Sequence, residues 1–141
     1  MKIVLIACSK IKITTYKYKR IVAEEMYCSA LFRKSLNYAR IKHDGYRIFV
    51  LSAKYGLVPI EKKISLYDLS LNYFSVEELK KWSSKVNSQL EAVCTPSKTD
   101  FVILAGKRYR CYLTKDMKSS YVPLEGLKIG EQLGKLTQLS K

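Results

Sequence analysis

Three short apolar runs limit what this chain can fold into: residues 2–7 (KIVLIA), 46–52 (YRIFVLS) and 100–104 (DFVIL). Each is rich in β-branched residues and Leu, too short for a buried helix and closed by turn-forming or polar residues, so each reads as a buried strand. Between the first two, Met26, Ala30, Leu31, Leu36, Tyr38 and Ala39 approximate one face of a helix over 22–41, which His43, Asp44 and Gly45 end. Ser75 followed by Glu78 is a capping box opening a second helix over 76–94, with Leu79, Trp82, Val86, Leu90 and Val93 as its apolar stripe.

The rest of the chain continues the alternation. Residues 11–20 read as a loop, and 53–56 (AKYG) turn the chain into a long connection to Phe74 with one short helical turn. A short helix is expected over 107–115, a fourth strand or extended piece over 121–124, and a last helix over 129–139. The order β-α-β-α-β-α-β-α predicts a small three-layer α/β domain: a mainly parallel sheet of about four strands with flanking helices and right-handed crossovers. At 141 residues, with no internal repeat or low-complexity linker, the chain is expected to form one domain over 1–141.

Charge narrows the partners. Twenty-six Lys and Arg against 12 Asp and Glu give a net charge of +14, which favours a polyanion: nucleic acid, nucleotide or anionic membrane. No stretch approaches the roughly 18 apolar residues of a membrane span, and the first eight residues are too short for a signal-peptide core, so a cytoplasmic protein is expected, without a membrane partner. Cys8, Cys28, Cys94 and Cys111 are scattered with no Cys-x-x-Cys pair, and His43 is the single histidine, so neither a metal site nor any other cofactor is expected. The four cysteines read as thiols in or near the core; their even number would also fit two disulfides.

Ligands of open parallel sheets bind outside the carboxyl ends of the strands. Those ends carry Cys8, Ser9, Lys10 and Lys12, then Ser52, Lys54, Tyr55 and Gly56, then Gly106, Lys107, Arg108, Tyr109 and Arg110, then Glu125 and Gly126. Cations, glycines and tyrosines in that arrangement suit phosphate and ring recognition. Ser9, Lys12, Ser52, Tyr55, Gly106, Tyr109 and Arg110 are expected to converge on one cleft, with Tyr27 and Ser29 entering from the N-terminal end of the first helix. Lys10, Lys54, Gly56 and Tyr67 complete the expected ligand-binding set. If the domain is catalytic, Asp68 or Glu125 is the candidate general base or transition-state stabiliser. Lys12 and Arg110 would then hold a phosphate or developing negative charge, and Tyr55 or Tyr109 would stack on a base or donate a proton.

Each of these residues also has a plainer role. Lys10 and Lys12 fit solvated loop lysines, Gly56 a tight turn, Tyr109 and Arg110 the surface of a helix, Asp68 a turn or an ion pair, and Glu125 a cap on the last helix. Ser9 and Lys10 are adjacent, which argues against a Ser-Lys nucleophile pair because neighbouring side chains seldom aim at one point. The chain has no Gly-x-x-x-x-Gly-Lys-Ser/Thr, no Gly-x-Gly-x-x-Gly after the first strand and no Gly-x-Ser-x-Gly, which sets aside P-loop NTPases, dinucleotide Rossmann enzymes and nucleophile-elbow hydrolases. Tyr16, Lys17, Tyr18, Lys19 and Arg20 form a basic-aromatic segment able to track a nucleic-acid backbone, and Lys62 and Lys63 add charge beside Glu61; such runs also occur as solvated faces.

Several segments together resemble the YaaA-like superfamily, which includes peroxide-stress proteins and smaller bacterial, archaeal and phage domains. They are Leu51-Ser52-Ala53-Lys54-Tyr55-Gly56-Leu57, Leu66-Tyr67-Asp68 and Leu104-Ala105-Gly106-Lys107-Arg108-Tyr109. Lys10 matches the lysine of a Ser-Pro-Ala-Lys segment in longer members, whereas Cys8 and Ser9 depart from it. The smaller members share the start seen as Cys8, Ser9 and Lys12, the Glu25, Met26, Tyr27, Ser29 segment, and the ending from Pro123 to Gly130. The resemblance implies the α/β fold and a site at these residues. It also implies an association with DNA or RNA: longer members resemble DNA-binding proteins of oxidative-stress protection, and related domains occur beside base-modification enzymes. The expected function is therefore nucleotide- or nucleic-acid-associated, acting on a nucleobase or its glycosidic bond, or else a non-catalytic DNA/RNA-binding module linked to stress protection.

Overall fold

In the computed structural model, residues 1–9, 12, 19–113, 117 and 119–141 are described. The chain begins with β1 (Lys2–Ala7), whose Ile3, Val4, Leu5 and Ile6 are buried on both faces, as a near-continuous apolar run requires of a central parallel strand. A short β2 (Arg20–Val22), one helical turn α1 (Ala23–Met26) and α2 (Ala30–Lys42) lead into β3 (Arg47–Ser52). Then come β4 (Gly56–Pro59), β5 (Lys63–Ser65), a 3₁₀ turn at Leu71–Tyr73 and α3 (Val76–Val93). A second 3₁₀ turn (Pro96–Lys98), β6 (Asp100–Leu104), the one-turn α4 (Lys107–Arg110), β7 (Ser119–Tyr121) and α5 (Ile129–Leu139) complete it.

Among the described residues the main sheet has five strands in the order β4-β3-β1-β6-β7, with β4 antiparallel and the rest parallel. β2 and β5 form a separate antiparallel ribbon. Helix α5 packs on α2 and α2 on β1, while α3 packs against β4 and α4. With the right-handed crossovers usual for parallel strands, the two sets would fall on opposite faces of the sheet. One apolar core runs through both interfaces.

The α/β class and mainly parallel sheet agree with the sequence reading; the strand count does not. The Tyr-Gly turn opens a hairpin, so β4 pairs back on β3 with Ser52 opposite Gly56. Pro59 has no N–H to donate, which is tolerable because β4 is the sheet's edge. The long connection from 58 to 74 therefore holds part of one strand, all of another and a 3₁₀ turn. The helix expected over 22–41 is broken at Tyr27–Ser29: Tyr27 bridges to Lys12, its side chain is fully buried, and Ser29 caps α2 by accepting from the Phe32 amide at 3.1 Å. The fourth parallel strand lies at Ser119–Tyr121, ahead of the expected 121–124, because Pro123 falls in the turn that follows. Lys10 and residues 16–18 of the basic-aromatic segment lie outside the described residues, as do 114–115 at the end of the expected 107–115 helix.

Candidate functional site

The site grows from the carboxyl ends of β1, β3 and β6, where two adjoining compartments meet. The first is a buried aromatic cluster. Cys8 extends the β1–β3 pairing, its amide donating to Leu51 O at 3.0 Å. At the end of β3, the buried Ser52 Oγ accepts from the Tyr55 amide and donates to Tyr67 Oη, both at 3.0 Å. Tyr67 Oη also shares a hydrogen bond with Tyr27 Oη, 2.7 Å away. Trp82 of α3 donates from Nε1 to Ser52 O at 2.8 Å and meets Tyr109 edge-on, and Tyr109 Oη lies 3.4 Å from Cys8 Sγ. Tyr55 packs edge-on against Tyr67, whose ring centroid lies 4.5 Å from Lys12 Nζ.

Burial pushes the phenols of Tyr27, Tyr67 and Tyr109 above the usual tyrosine range, and the proximity of Cys8 adds to the effect for all three. They stay neutral across the physiological range and act as a hydrogen-bonding scaffold. Arg108 holds the segment that carries Tyr67: Nε and Nη2 donate to Leu71 O at 3.1 and 2.9 Å, and Nη2 to Phe74 O at 2.6 Å.

The second compartment is an open cleft of about 420 Å³ between the ends of β1 and β6, roofed by α2, α4, α5 and the turn after β7. Ala7, Leu31, Leu104, Leu124 and Leu127 give it an apolar floor; Ser35, Gly106, Lys107, Arg110, Glu125 and Gln132 supply its polar groups. Arg110 is 16% exposed and donates from Nε to Ala105 O at 3.2 Å, while its Nη1 faces Glu125 Oε1 at 3.6 Å. The Glu125 side chain is 66% exposed and its carboxylate has no other described partner, so the pair is loose enough to open for a ligand. The cleft occupies the topological switch point: from β1 the chain crosses one way to β3, and from β6 the other way to β7.

The expected site residues divide between these places. Ser52, Tyr55, Tyr27, Tyr67, Tyr109 and Lys12 gather in the aromatic cluster; Gly106, Arg110 and Glu125 line the cleft. The single cleft expected for all of them is thus two compartments, joined where Cys8 follows Ala7 and Arg110 follows Tyr109. Ser9 is buried directly after Cys8. Ser29 serves as a helix cap, and Glu131, not Glu125, accepts from the Lys128 amide at the start of α5. Lys54 lies over the outer edge of the group, its Nζ 5.3 Å from the Tyr55 ring centroid, and Asp68 is exposed and outside the cleft lining. Gly56 has φ +74° and sits against Gln89, whose Oε1 accepts from the Leu57 amide at 2.8 Å.

Sequence reasoning placed Cys8, Lys107 and Arg108 at the strand ends but left them out of the expected ligand-binding set, and it did not assign Trp82 or Ser35 to the site. Trp82 and Ser35 sit on helical faces, where spacing reads only as core.

Among the described residues no group of three or more His, Cys, Asp or Glu is placed to hold a metal ion, and no helix is long and apolar enough to cross a membrane. A family model matches residues 3–138, described as a family of unknown function, DUF6884. The chain belongs to that family. No curated protein and no solved structure matched the chain.

Proposed function

We propose that the domain binds a nucleotide unit in the switch-point cleft and acts on its base or glycosidic bond. The observation that carries this reading is the position and make-up of the cleft. Its volume, about 420 Å³, falls in the roughly 300–1,000 Å³ range of small-molecule sites. Its apolar floor suits a ring, and Arg110 and Lys107 at one wall suit a phosphate. Glu125 is the carboxylate best placed to face a sugar that develops positive charge, once the ligand's phosphate draws Arg110 away from it. Asp68 stands further off and is the weaker choice. Lys12 belongs to the neighbouring cluster, where it faces Tyr67. The resemblance to YaaA-like domains points the same way, toward nucleic-acid-associated chemistry. Binding without turnover is the second reading, favoured by the net charge of +14.

Calorimetry against a panel of nucleoside mono-, di- and triphosphates and modified nucleosides tests the proposal. We expect one site per chain and a loss of affinity of about tenfold or more in Arg110→Ala, as fits a charge-assisted contact of ~1.5–3 kcal/mol. Glu125→Gln should keep the affinity and, where turnover is found, lower it about 100-fold or more. Absence of binding across the panel sinks the cleft reading, and full turnover in Glu125→Gln sinks the carboxylate role.

A further inference from the structure

A second feature lies outside both compartments. The β2–β5 ribbon alternates strictly: Ile21 and Ile64 face the core, while Arg20, Lys63 and Ser65 face out. Alternation thus forces cations onto one outer surface. Hydrogen bonds tie the ribbon and the residues that flank it. The Ala23 amide donates to Lys62 O at 2.8 Å, Glu24 N to Ile60 O at 3.0 Å, and Arg20 Nη2 to Lys63 O at 3.2 Å.

Between this ribbon and β4 runs a groove of about 270 Å³. Its described lining contains three cations, Arg20, Lys62 and Lys63, and no carboxylate. Tyr55 supplies an aromatic wall; its Oη donates to Ser65 O at 3.3 Å, and its backbone O accepts from Gln89 Nε2 at 3.1 Å. On its other side Tyr55 meets Tyr67, with ring centroids 5.7 Å apart. The groove therefore abuts the cluster at the strand ends.

We infer that this groove binds the phosphodiester backbone of a single-stranded nucleic acid, so that the unit taken into the cleft belongs to a polynucleotide chain. The inference deepens the cleft reading and rests on it for that last clause; the groove itself stands on its own residues. Three cations along a narrow channel with an aromatic wall combine the two elements that single-strand sites use, charge along the backbone and a flat surface for a base.

The test is fluorescence anisotropy with labelled 20-nucleotide oligo-dT and oligo-U across a salt series, on wild type and on a double variant carrying Lys62→Glu and Lys63→Glu. Both side chains are exposed, so folding should survive, and circular dichroism checks this. A milder pair, Lys62→Gln and Lys63→Gln, serves if the first fails to fold. Wild type should bind with log K falling linearly against log salt. Losing two phosphate contacts should flatten that slope by about 1.4, at roughly 0.7 per contact for single strands. Affinity should fall about tenfold or more at low salt while mononucleotide binding in the cleft is unchanged. An unchanged oligonucleotide affinity and slope in the variants overturns the inference and leaves the cleft reading intact. Equal or tighter binding of a 20-base-pair duplex overturns the single-strand assignment. Binding only to anionic phospholipid vesicles overturns the nucleic-acid assignment altogether. Oligonucleotide binding that depends on Lys62 and Lys63, with no mononucleotide affinity, supports the groove and defeats the cleft.

Discussion

Gly56 shows how one residue fixes the local geometry on which the site depends. It takes φ +74°, in the left-handed region, and its α-carbon faces the Gln89 amide so closely that a Cβ would collide with Oε1. Gln89 in turn bonds the Leu57 amide and Tyr55 O, so it ties the β3–β4 turn to α3. Gly56→Ala combines backbone strain with the displacement of a bonded amide. We expect a loss of about 1–3 kcal/mol, read as a lower urea midpoint. An unchanged midpoint would mean that the turn relaxes at no cost. The tight-turn role of Gly56 was legible from Tyr-Gly alone; the dependence on Gln89, 33 positions later in the chain, was not, since no local pattern announces a long-range amide pair.

Elements were most legible where local signals and packing agreed. β1, β6 and α5 have the bounds that their apolar runs and turn residues dictate, and α3 begins at the Ser75–Glu78 capping box, with both reciprocal bonds formed at 3.0 and 3.1 Å. They were least legible where tertiary contacts overrode a local pattern. The apolar stripe over 22–41 has helical spacing, yet Tyr27 is drawn into the strand-end cluster and breaks it. β5 is only three residues long and exists because β2 lies beside it. The segment carrying Tyr67 has little regular structure of its own, and Arg108 supplies its anchorage by bonding two of its carbonyls. Arg108→Ala should therefore free residues 66–74 without unfolding the sheet. Amide exchange in that segment should speed up at least tenfold, while β1, β3 and β6 keep their protection. Lysine at 108 has one donor group in place of the guanidinium fork and should restore little of it. Uniformly raised exchange across the sheet would instead make Arg108 part of the global core.

At the scale of the whole molecule, the buried phenols couple the site to global stability. Tyr27, Tyr67 and Tyr109 all have folded-state pKa values raised by burial, whereas in the unfolded chain they ionise near 10. A raised folded value means that the folded state retains protons that the unfolded state gives up. The stabilisation is fully present below pH 10 and is lost as pH rises further. With these three and Tyr38, which burial also raises, the slope approaches about 5 kcal/mol per pH unit, at ~1.36 per proton. A total stability of roughly 5–15 kcal/mol is then exhausted within a few pH units. Lysine deprotonation in the same range relieves repulsion in a chain of net charge +14 and opposes this loss, but surface charges are screened and individually weak. We expect urea midpoints to be steady from pH 7 to 9 and to fall steeply above 10. The buried phenols should release their tyrosinate absorbance in a cooperative step coincident with unfolding. Tyr109→Phe removes one of these four protons and should shallow the slope by about a quarter, while leaving the Ser52–Tyr67–Tyr27 chain intact. If the phenols of Tyr27, Tyr67 and Tyr109 ionise gradually ahead of unfolding, the cluster is open to solvent and the scaffold role assigned to it fails.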